Sequence, residues 1–376
     1  MSALLPDVDP QGLLEFSVVY TDRSLNHMSG AFQEVMRDLS KQFKSVYKAN
    51  AVAIIPGSGT LGMEAVARQF ATDKKVLVIR NGWFSYRWTQ IFEMGRIPHE
   101  ELVCKAQFCD DNAESELAPM PIERLVETIR HERPDIVFAP HVETSAGLIL
   151  PDEYIQAVTA ATHEVGGLFV LDCIASGAIW IDMKRCGVDV LISAPQKGWS
   201  GSPCCGLVMM SETARAQLEN TQSSSFALDL KKWTQIMEVY EQGGHAYHAT
   251  MPTDGLRKLR DVMAEAEAFG YEKLKKAQAE LGEKSRSVMT ARGIKSLAAD
   301  GFGAPGVIVS YTQEVDIQNG SRFAKAGFQI AAGVPLMVDE PEGFRTFRIG
   351  LFGIDKLKNI PRTLAYLEQA LDAAQL

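Results

Sequence analysis

The chain has 376 residues, of which 46% are hydrophobic and 23% are charged, so it contains enough apolar material for a sizeable core. A net charge of −9 argues against broad nucleic-acid binding, since no basic cluster is strong enough to neutralise phosphates. The N-terminus lacks a basic region and an apolar leader, and no apolar stretch reaches about 18 residues. We therefore expect a cytoplasmic protein without a membrane span.

Short apolar runs recur through the first part of the chain, and most are separated by segments with helical periodicity. This alternation predicts an α/β fold with a mostly parallel, seven-stranded sheet in residues 50–210 and helices on both faces. The predicted strands are AVAII (51–55), VLVI (76–79), DIVFA (135–139), LFVL (168–171), VDVLIS (188–193) and GLVMM (206–210). The predicted helices between them cover 87–95, 121–132 and 151–166.

The pattern changes after about residue 250 and indicates a smaller α+β domain. A charged helical pattern predicts one long helix over 253–291, followed by strands at 307–311 and 346–353 and a terminal helix from 355. The predicted division is an N-terminal arm (1–16), a large cofactor-binding domain (17–255) and a small C-terminal domain (256–376).

The six cysteines do not predict a disulfide framework or a metal site. No C-x-x-C motif occurs, and the adjacent Cys204 and Cys205 are poor partners for an ordinary disulfide. His141 has no second ligand nearby and is interpreted as a structural histidine. We expect reduced, mostly buried cysteines and no metal.

Polar residues follow several of the predicted strands, where ligands bind to open parallel sheets. The first strand leads into a glycine-rich turn, Ser58–Thr60, whose N–H groups and hydroxyls would suit a phosphate at a helix N-terminus. Such a turn often only connects a strand to a helix, so by itself it does not establish a phosphate site. Most aromatics in RNGWFSYRW are expected to pack the next helix, with one ring free to stack on a planar cofactor.

Asp172 ends one predicted strand, and Lys197 follows the next strand in a turn of small residues. An aspartate at the end of an apolar strand must be paired or hydrogen-bonded, since an isolated buried charge is costly. A lysine and an aspartate at neighbouring strand ends suit pyridoxal 5′-phosphate (PLP). The amine forms a Schiff base, and the carboxylate keeps the pyridine nitrogen protonated. The small residues after Lys197 are interpreted as leaving room for the cofactor.

The stretches GSGTLGMEAV, RNGWFSYRW, HVETSAG, LDCIASGA, SAPQKG and FRIGLFG resemble class V aminotransferases of PLP fold type I. The nearest resemblance is to the alanine/serine–glyoxylate aminotransferases. It extends from about residue 27 to the end, with the motifs in the family's order. The resemblance implies the fold type, the cofactor and a homodimer with shared active sites.

The resemblance implies roles for individual residues around the cofactor ring. Lys197 would be the Schiff-base lysine and proton shuttle, and Gln196 beside it would contact the phosphate end. Asp172 would pair with the pyridine nitrogen. Ile174 would pack on one ring face and Phe84 would stack on the other.

Further roles implied by the resemblance concern the phosphate, the substrate and the partner subunit. Ser58, Gly59 and Thr60 would hold the phosphate, and Thr144 would hydrogen-bond the ring oxygen. Tyr247 and Thr250 match residues that reach the phosphate of the partner subunit's cofactor. Arg348 would bind the substrate α-carboxylate, a task that suits a planar guanidinium.

One departure from the family concerns the N-terminal segment. Family members usually begin with a Pro-Gly-Pro segment that walls the substrate side, whereas this chain has LLEFSVVYTDRSLNH at 13–27. We expect a remodelled wall, which Tyr20 or Arg23 could enter, although ordinary packing or surface roles are the alternative for both.

These features predict a ping-pong aminotransferase that moves an amino group from alanine, serine or a similar donor to a 2-oxo acid such as glyoxylate or pyruvate. A 2-aminoethylphosphonate–pyruvate aminotransferase is the closer alternative, because Arg348 would also bind a phosphonate. A PLP-dependent β-lyase is a second alternative. A cysteine desulfurase is disfavoured because no cysteine follows Cys205. A non-catalytic protein is disfavoured because both Lys197 and Asp172 are present.

Overall fold

The computed structural model describes residues 8–376, in which helices and strands alternate along most of the chain. Up to residue 241 the strands are β1 (Ala51–Pro56), β2 (Lys75–Arg80), β3 (Glu100–Lys105), β4 (Gln107–Phe108), β5 (Leu117–Ala118), β6 (Ile136–Pro140), β7 (Val142–Glu143), β8 (Leu148–Ile149), β9 (Leu168–Asp172), β10 (Val190–Ser193) and β11 (Cys205–Met210). The helices are α1 (Gly30–Tyr47), α2 (Gly59–Phe70), α3 (Trp83–Gly95), α4 (Ile122–Glu132), α5 (Asp152–Glu164), α6 (Met183–Cys186), α7 (Glu212–Leu218) and α8 (Leu230–Glu241).

The central sheet has seven strands in the order β1-β11-β10-β9-β6-β2-β3. Only β11 runs antiparallel to its neighbours, so the carboxyl ends of the other six strands share one edge. This arrangement confirms the predicted fold class. All six predicted strands are present because their apolar residues are buried between helices on both faces.

The seventh strand, β3, was not predicted from an apolar run. Its sequence EELVCK carries three charged residues, and Glu100 is exposed because β3 lies at the edge of the sheet. An edge strand is covered less completely than an internal one, so its sequence does not need to be continuously apolar.

The chain after residue 250 forms further helices and a second sheet. The helices are α9 (Thr253–Phe269), α10 (Tyr271–Ala291), α11 (Val315–Gln318), α12 (Ser321–Lys325), α13 (Ile354–Lys358) and α14 (Ile360–Ala373), and the strands are β12 (Val307–Tyr311), β13 (Ala331–Ala332) and β14 (Thr346–Gly350). The three strands form one antiparallel sheet in the order β12-β14-β13.

The prediction of one continuous helix over 253–291 is wrong. Gly270 separates α9 from α10 with φ 103° and ψ 120°, a conformation that only glycine adopts readily and that cannot continue a helix. The proposed division into an arm and two domains stays a prediction, and residues 1–7 of the arm lie outside the described residues.

Four of the six cysteines are buried as expected: Cys104, Cys173, Cys186 and Cys205. Among the helices of residues 8–376, none combines the length and the apolarity needed to cross a membrane.

The backbone of β11 contacts the start of α2 closely at Gly206. A Cβ atom there would lie 2.8 Å from the Ser58 carbonyl oxygen and 2.9 Å from the Gly62 Cα and nitrogen. Because all three are backbone atoms, Gly206→Ala is expected to destabilise the protein by about 1–3 kcal/mol. Denaturant unfolding measures this loss. Gly30→Ala is the control, because nothing lies within 4 Å of the added Cβ, and equal stability of the two variants would contradict the prediction.

Candidate active site

One cavity of about 210 Å³ lies beyond the carboxyl ends of the parallel strands, beside the start of α2. It collects side chains from positions far apart in the sequence, and nine of the twelve predicted site residues contribute to it. Its lining residues are Ser58, Gly59, Thr60, Met63, Phe84, Arg87, Val142, Thr144, Asp172, Ile174, Ala175, Gln196 and Lys197.

The turn between β1 and α2 forms one end of the cavity. Ser58 is the N-cap of α2, and its Oγ accepts a hydrogen bond from Leu61 N at 3.4 Å. The next two amides, of Gly59 and Thr60, begin the helix and have no acceptor within it. A Cβ on Gly59 would come within 2.6 Å of Ile174 Cδ1, so only glycine lets the helix start approach the opposite wall. These groups form a cradle suited to an anion.

Asp172 occupies the end of β9 and lies in the cavity wall. Its carbonyl accepts from His141 N at 2.8 Å, and its Oδ1 accepts from Ile174 N at 2.9 Å. No other hydrogen bond or ion pair reaches its carboxylate from the described part of the chain. Burial raises the pKa of Asp172 to about 6, and the charge of Glu143 adds to the increase. The carboxylate is therefore held in an apolar environment without a protein cation bound to it.

His141, which the sequence analysis interpreted as structural, lies directly beside this strand end. It is buried, and its Nδ1 lies 2.6 Å from Ser176 Oγ. Burial lowers the pKa of its imidazole to about 4. A neutral histidine held by a serine beneath the site fits the structural interpretation.

Lys197 follows β10 and reaches into the same cavity. Its Nζ lies 5.1 Å from the centre of the Phe352 ring. Burial lowers the pKa of Lys197, and the positive charge of Arg348 lowers it further, while Asp172 opposes both effects. The environment thus favours a neutral amine more than water does.

The glycine after the lysine has a packing role that the sequence analysis did not predict. A Cβ on Gly198 would lie 2.0 Å from the Gly177 carbonyl oxygen, so the two backbones are in direct contact. The small residue at this position therefore allows the lysine turn to pack against the segment after β9.

Glu143 holds the N-terminus of α3, and with it Phe84, against the cavity. It is fully buried, and its carboxylate accepts five hydrogen bonds of 2.7–3.2 Å. The donors are the amide of Phe84 and the amides and hydroxyls of Ser85 and Ser145. This role of Glu143 was not predicted from the sequence. The contact explains how the Phe84 ring keeps a fixed position in the wall.

Two guanidiniums lie near the Phe84 ring. Arg348 on β14 has its Cζ 5.6 Å from the ring centre and donates from Nε to Ala332 O at 2.7 Å. Arg87 has its Cζ 5.2 Å from the same centre and donates to Thr60 Oγ1 at 3.1 Å. Arg87 was missed, although a residue three positions after Phe84 on a helix shares its face.

Five residues considered for the site do not line the cavity of their own subunit; Arg348 lies beside it, and the other four lie elsewhere. Tyr247 and Thr250 are exposed, and their hydroxyl oxygens are 3.2 Å apart. Tyr20 is buried and donates to Met251 O at 3.0 Å. Arg23 is exposed beside Asp22. Within their own subunit, Tyr20 and Arg23 thus have the packing and surface roles named as alternatives.

Comparison with protein families gives a match to the model for aminotransferase class-V over residues 13–300. The chain belongs to the class-V aminotransferases. This aminotransferase uses PLP, the cofactor of the family. The family predicted from the six sequence stretches is thereby confirmed.

Among curated relatives, this aminotransferase is 26% identical to "Soluble hydrogenase, small subunit" of Synechococcus sp., covering 92% of this chain and 87% of that protein. It is 29% identical to 2-aminoethylphosphonate–pyruvate transaminase of Paraburkholderia phymatum, covering 88% and 84%. It is 26% identical to alanine–glyoxylate aminotransferase 1 of Saccharomyces cerevisiae, covering 94% and 91%. Among solved structures, alanine–glyoxylate aminotransferase from Nostoc sp. has a TM-score of 0.77 at 20% identity, covering 92% and 89%.

The donor set of the cavity fits PLP. Asp172 is a desolvated carboxylate without a protein cation, which suits the protonated nitrogen of a pyridine ring. The helix start at Ser58–Thr60 suits the phosphate, and Lys197 supplies the amine.

The raised pKa of Asp172 gives a pH-dependent prediction for the cofactor-free protein. The folded-state pKa of about 6 lies above the ordinary value of 3.8, so the folded state binds this proton more tightly. Stability attributable to this group is therefore full below about pH 4 and is lost as pH rises through 6. Asp172→Asn should stabilise the cofactor-free protein by up to about 3 kcal/mol at pH 8 and by much less at pH 4.5. Denaturant unfolding at both pH values measures the difference, and a pH-independent difference would contradict the prediction.

Proposed function

We propose that this aminotransferase transfers the amino group of a small amino acid, such as alanine or serine, to a 2-oxo acid such as glyoxylate or pyruvate. The observation that carries the proposal is the convergence of three groups around one cavity. These are the Lys197 amine, the Asp172 carboxylate and, beside the cavity, the Arg348 guanidinium. A base, an acid partner for a pyridine ring and a carboxylate receptor are what such a transfer requires.

Bound PLP supplies an aldehyde that accepts the amino group and a ring that accepts the electron pair of the Cα–H bond. Lys197 moves the proton, taking it from the substrate's Cα at Nζ and returning it in the reverse half-reaction. Its lowered pKa leaves more of the amine neutral, as a base requires. Asp172 holds a proton on the pyridine nitrogen, and burial makes its carboxylate a stronger partner for that cation.

Substrate orientation is assigned to the groups on the other side of the cavity. Arg348 binds the α-carboxylate of donor and acceptor alike, since both half-reactions present one. Its Nε is already fixed on Ala332 O, which limits the positions the guanidinium adopts. Phe84 and Ile174 would hold the two faces of the ring, with Phe84 fixed through Glu143.

A 2-aminoethylphosphonate donor is the second candidate. The relative of Paraburkholderia phymatum that carries this name is 29% identical over 348 residues. Arg348 would bind a phosphonate through the same fork of N–H groups that binds a carboxylate. The half-reactions below distinguish the two donors.

We also propose a cytoplasmic homodimer in which each subunit completes the other's site. Tyr247 and Thr250 have exposed hydroxyls that do not line their own cavity, as residues directed at a partner would. The N-terminal segment 13–27 adds an exposed apolar surface, with Leu13 95%, Phe16 85% and Val18 101% exposed. Apolar side chains grouped in this way are typical of an interface.

The donor is identified by single half-reactions. The purified enzyme is mixed with alanine, serine, aspartate or 2-aminoethylphosphonate without an acceptor, and the visible absorption band of the lysine-bound cofactor is followed. The proposed donors, alanine or serine, should abolish the band. Lys197→Ala should remove both the band and the transfer, lowering the rate by at least about 10⁴-fold, beyond the contribution of one general base. Conversion only by the phosphonate would establish the second candidate, and unchanged transfer in Lys197→Ala would contradict both.

Shared sites are tested with hybrid dimers. Lys197→Ala and the double variant Tyr247→Ala/Thr250→Ala are each expected to be inactive or strongly impaired alone. Co-expression should restore activity, because one of the two sites in a hybrid combines an intact Lys197 with intact hydroxyls from its partner. Differently tagged subunits purified as hybrids provide the sample. A hybrid no more active than its parents, or a monomer in sedimentation, would exclude the shared site.

A further inference from the structure

Arg87 lies in the wall of the cavity without an acidic partner. Thr60 Oγ1, at 3.1 Å from its Nη1, is its only hydrogen-bond partner among residues 8–376, and it takes part in none of their ion pairs. A guanidinium has five N–H donors, so most of its donors remain available. A half-buried guanidinium with unused donors at a cavity can bind an anionic ligand that is not part of the chain.

The position of Arg87 associates it with the phosphate cradle. Thr60, its partner, is the second residue of α2, and Ser58 and Gly59 of the same turn line the cavity with it. The other donors of that turn are neutral backbone amides and hydroxyls. A helix N-terminus contributes only about half a positive charge, whereas a phosphomonoester near pH 7 carries about −1.5 to −2. The cradle therefore lacks a full cation unless Arg87 provides it.

The other two cations of the site are engaged elsewhere. Lys197 acts as a neutral amine in the proposed mechanism. Arg348 is fixed by its bond to Ala332 O, on the strand next to β14 in the second sheet. Neither of them hydrogen-bonds the Ser58–Thr60 turn in the described structure. Arg87 is the cation that does.

We infer that Arg87 is the cationic anchor of the cofactor phosphate, an inference that rests on the proposed function. Its guanidinium would donate to phosphate oxygens alongside the α2 amides, while Thr60 fixes its orientation. Arginine binds phosphate more strongly and more specifically than neutral donors do, because its charged, planar guanidinium donates two parallel hydrogen bonds, which lysine cannot do. Arg87 would then contribute to retaining the cofactor and not to the proton transfer.

Binding to the cofactor-free full chain tests this role without relying on activity. Dissociation constants for PLP and for pyridoxal, which lacks the phosphate, are measured by tryptophan fluorescence in wild type, Arg87→Gln, Arg87→Lys and Arg348→Gln. Arg87→Gln should weaken PLP about 10–100-fold and leave pyridoxal unchanged. Arg87→Lys should recover part of the loss. Arg348→Gln is the comparison variant, since it removes a guanidinium near the same ring but leaves the cradle intact, so any change in affinity should be equal for PLP and pyridoxal.

A second measurement uses inorganic phosphate as the probe. Phosphate should raise the thermal midpoint of the cofactor-free wild type and have little effect on Arg87→Gln, with both proteins equally stable in its absence. Equal weakening of PLP and pyridoxal in Arg87→Gln would overturn the inference and indicate a structural role.

Two other outcomes separate this inference from the proposed function. Unchanged PLP affinity in Arg87→Gln, with a raised KM for a dicarboxylic or phosphonate donor, would overturn the inference and assign Arg87 to the substrate. A wild-type protein that binds neither PLP nor pyridoxal would contradict the proposed function itself.

Discussion

The buried carboxylate of Asp172 is the constraint on which the site depends. It ends a strand whose five residues are all buried, and no cation of the described chain pairs with it. Such a group is unfavourable in the empty fold, as its raised pKa indicates, since burial disfavours the ionised form. The same desolvation strengthens its attraction for a cationic ring nitrogen. The Asp172 carboxylate therefore destabilises the cofactor-free fold, and only a suitable cationic ligand would offset that loss of stability.

A second buried carboxylate, that of Glu143, is stabilised by hydrogen bonds within the protein. Five donors surround it, so its acceptor capacity is used within the protein. Its role is to connect the start of α3 to the segment after β6, and Phe84 is held in the cavity wall as a result. Both carboxylates lie near the same cavity, and their hydrogen bonding distinguishes the structural role of Glu143 from the ligand-binding role proposed for Asp172.

Which strands and helices could be predicted from the sequence depended on burial, because only some buried elements have a recognisable apolar pattern. Internal strands such as β9 are covered on both faces, and their continuous apolar runs identified them. The edge strand β3 carries charged residues because one of its sides is open, so its sequence contains no continuous apolar run by which to identify it. The break at Gly270 lay inside a regular helical pattern, and a single glycine in a helix is tolerated often enough to be ambiguous.

Within the site, the sequence indicated residues at strand ends but not the contacts between them. The position of Asp172 followed from its strand, and that of Lys197 from the next one. The contact of Gly198 with Gly177 depends on two loops approaching in space, which no local pattern encodes. The link between Arg87 and Thr60 is of the same kind, since it joins the starts of two different helices.

The charged side chains at the cavity determine which ligands it favours. Two guanidiniums, of Arg87 and Arg348, lie in or beside the cavity with Asp172, whereas Glu143 is stabilised by five neutral hydrogen-bond donors of the protein. Neither guanidinium takes part in an ion pair within residues 8–376, although the chain as a whole carries a net charge of −9. Because low-dielectric walls strengthen the attraction between these guanidiniums and an anion, the site favours an anionic ligand despite the overall charge of the protein. The N-terminal segment 13–27, which lines no part of its own subunit's cavity, bears on selectivity only if it borders the site of a second subunit.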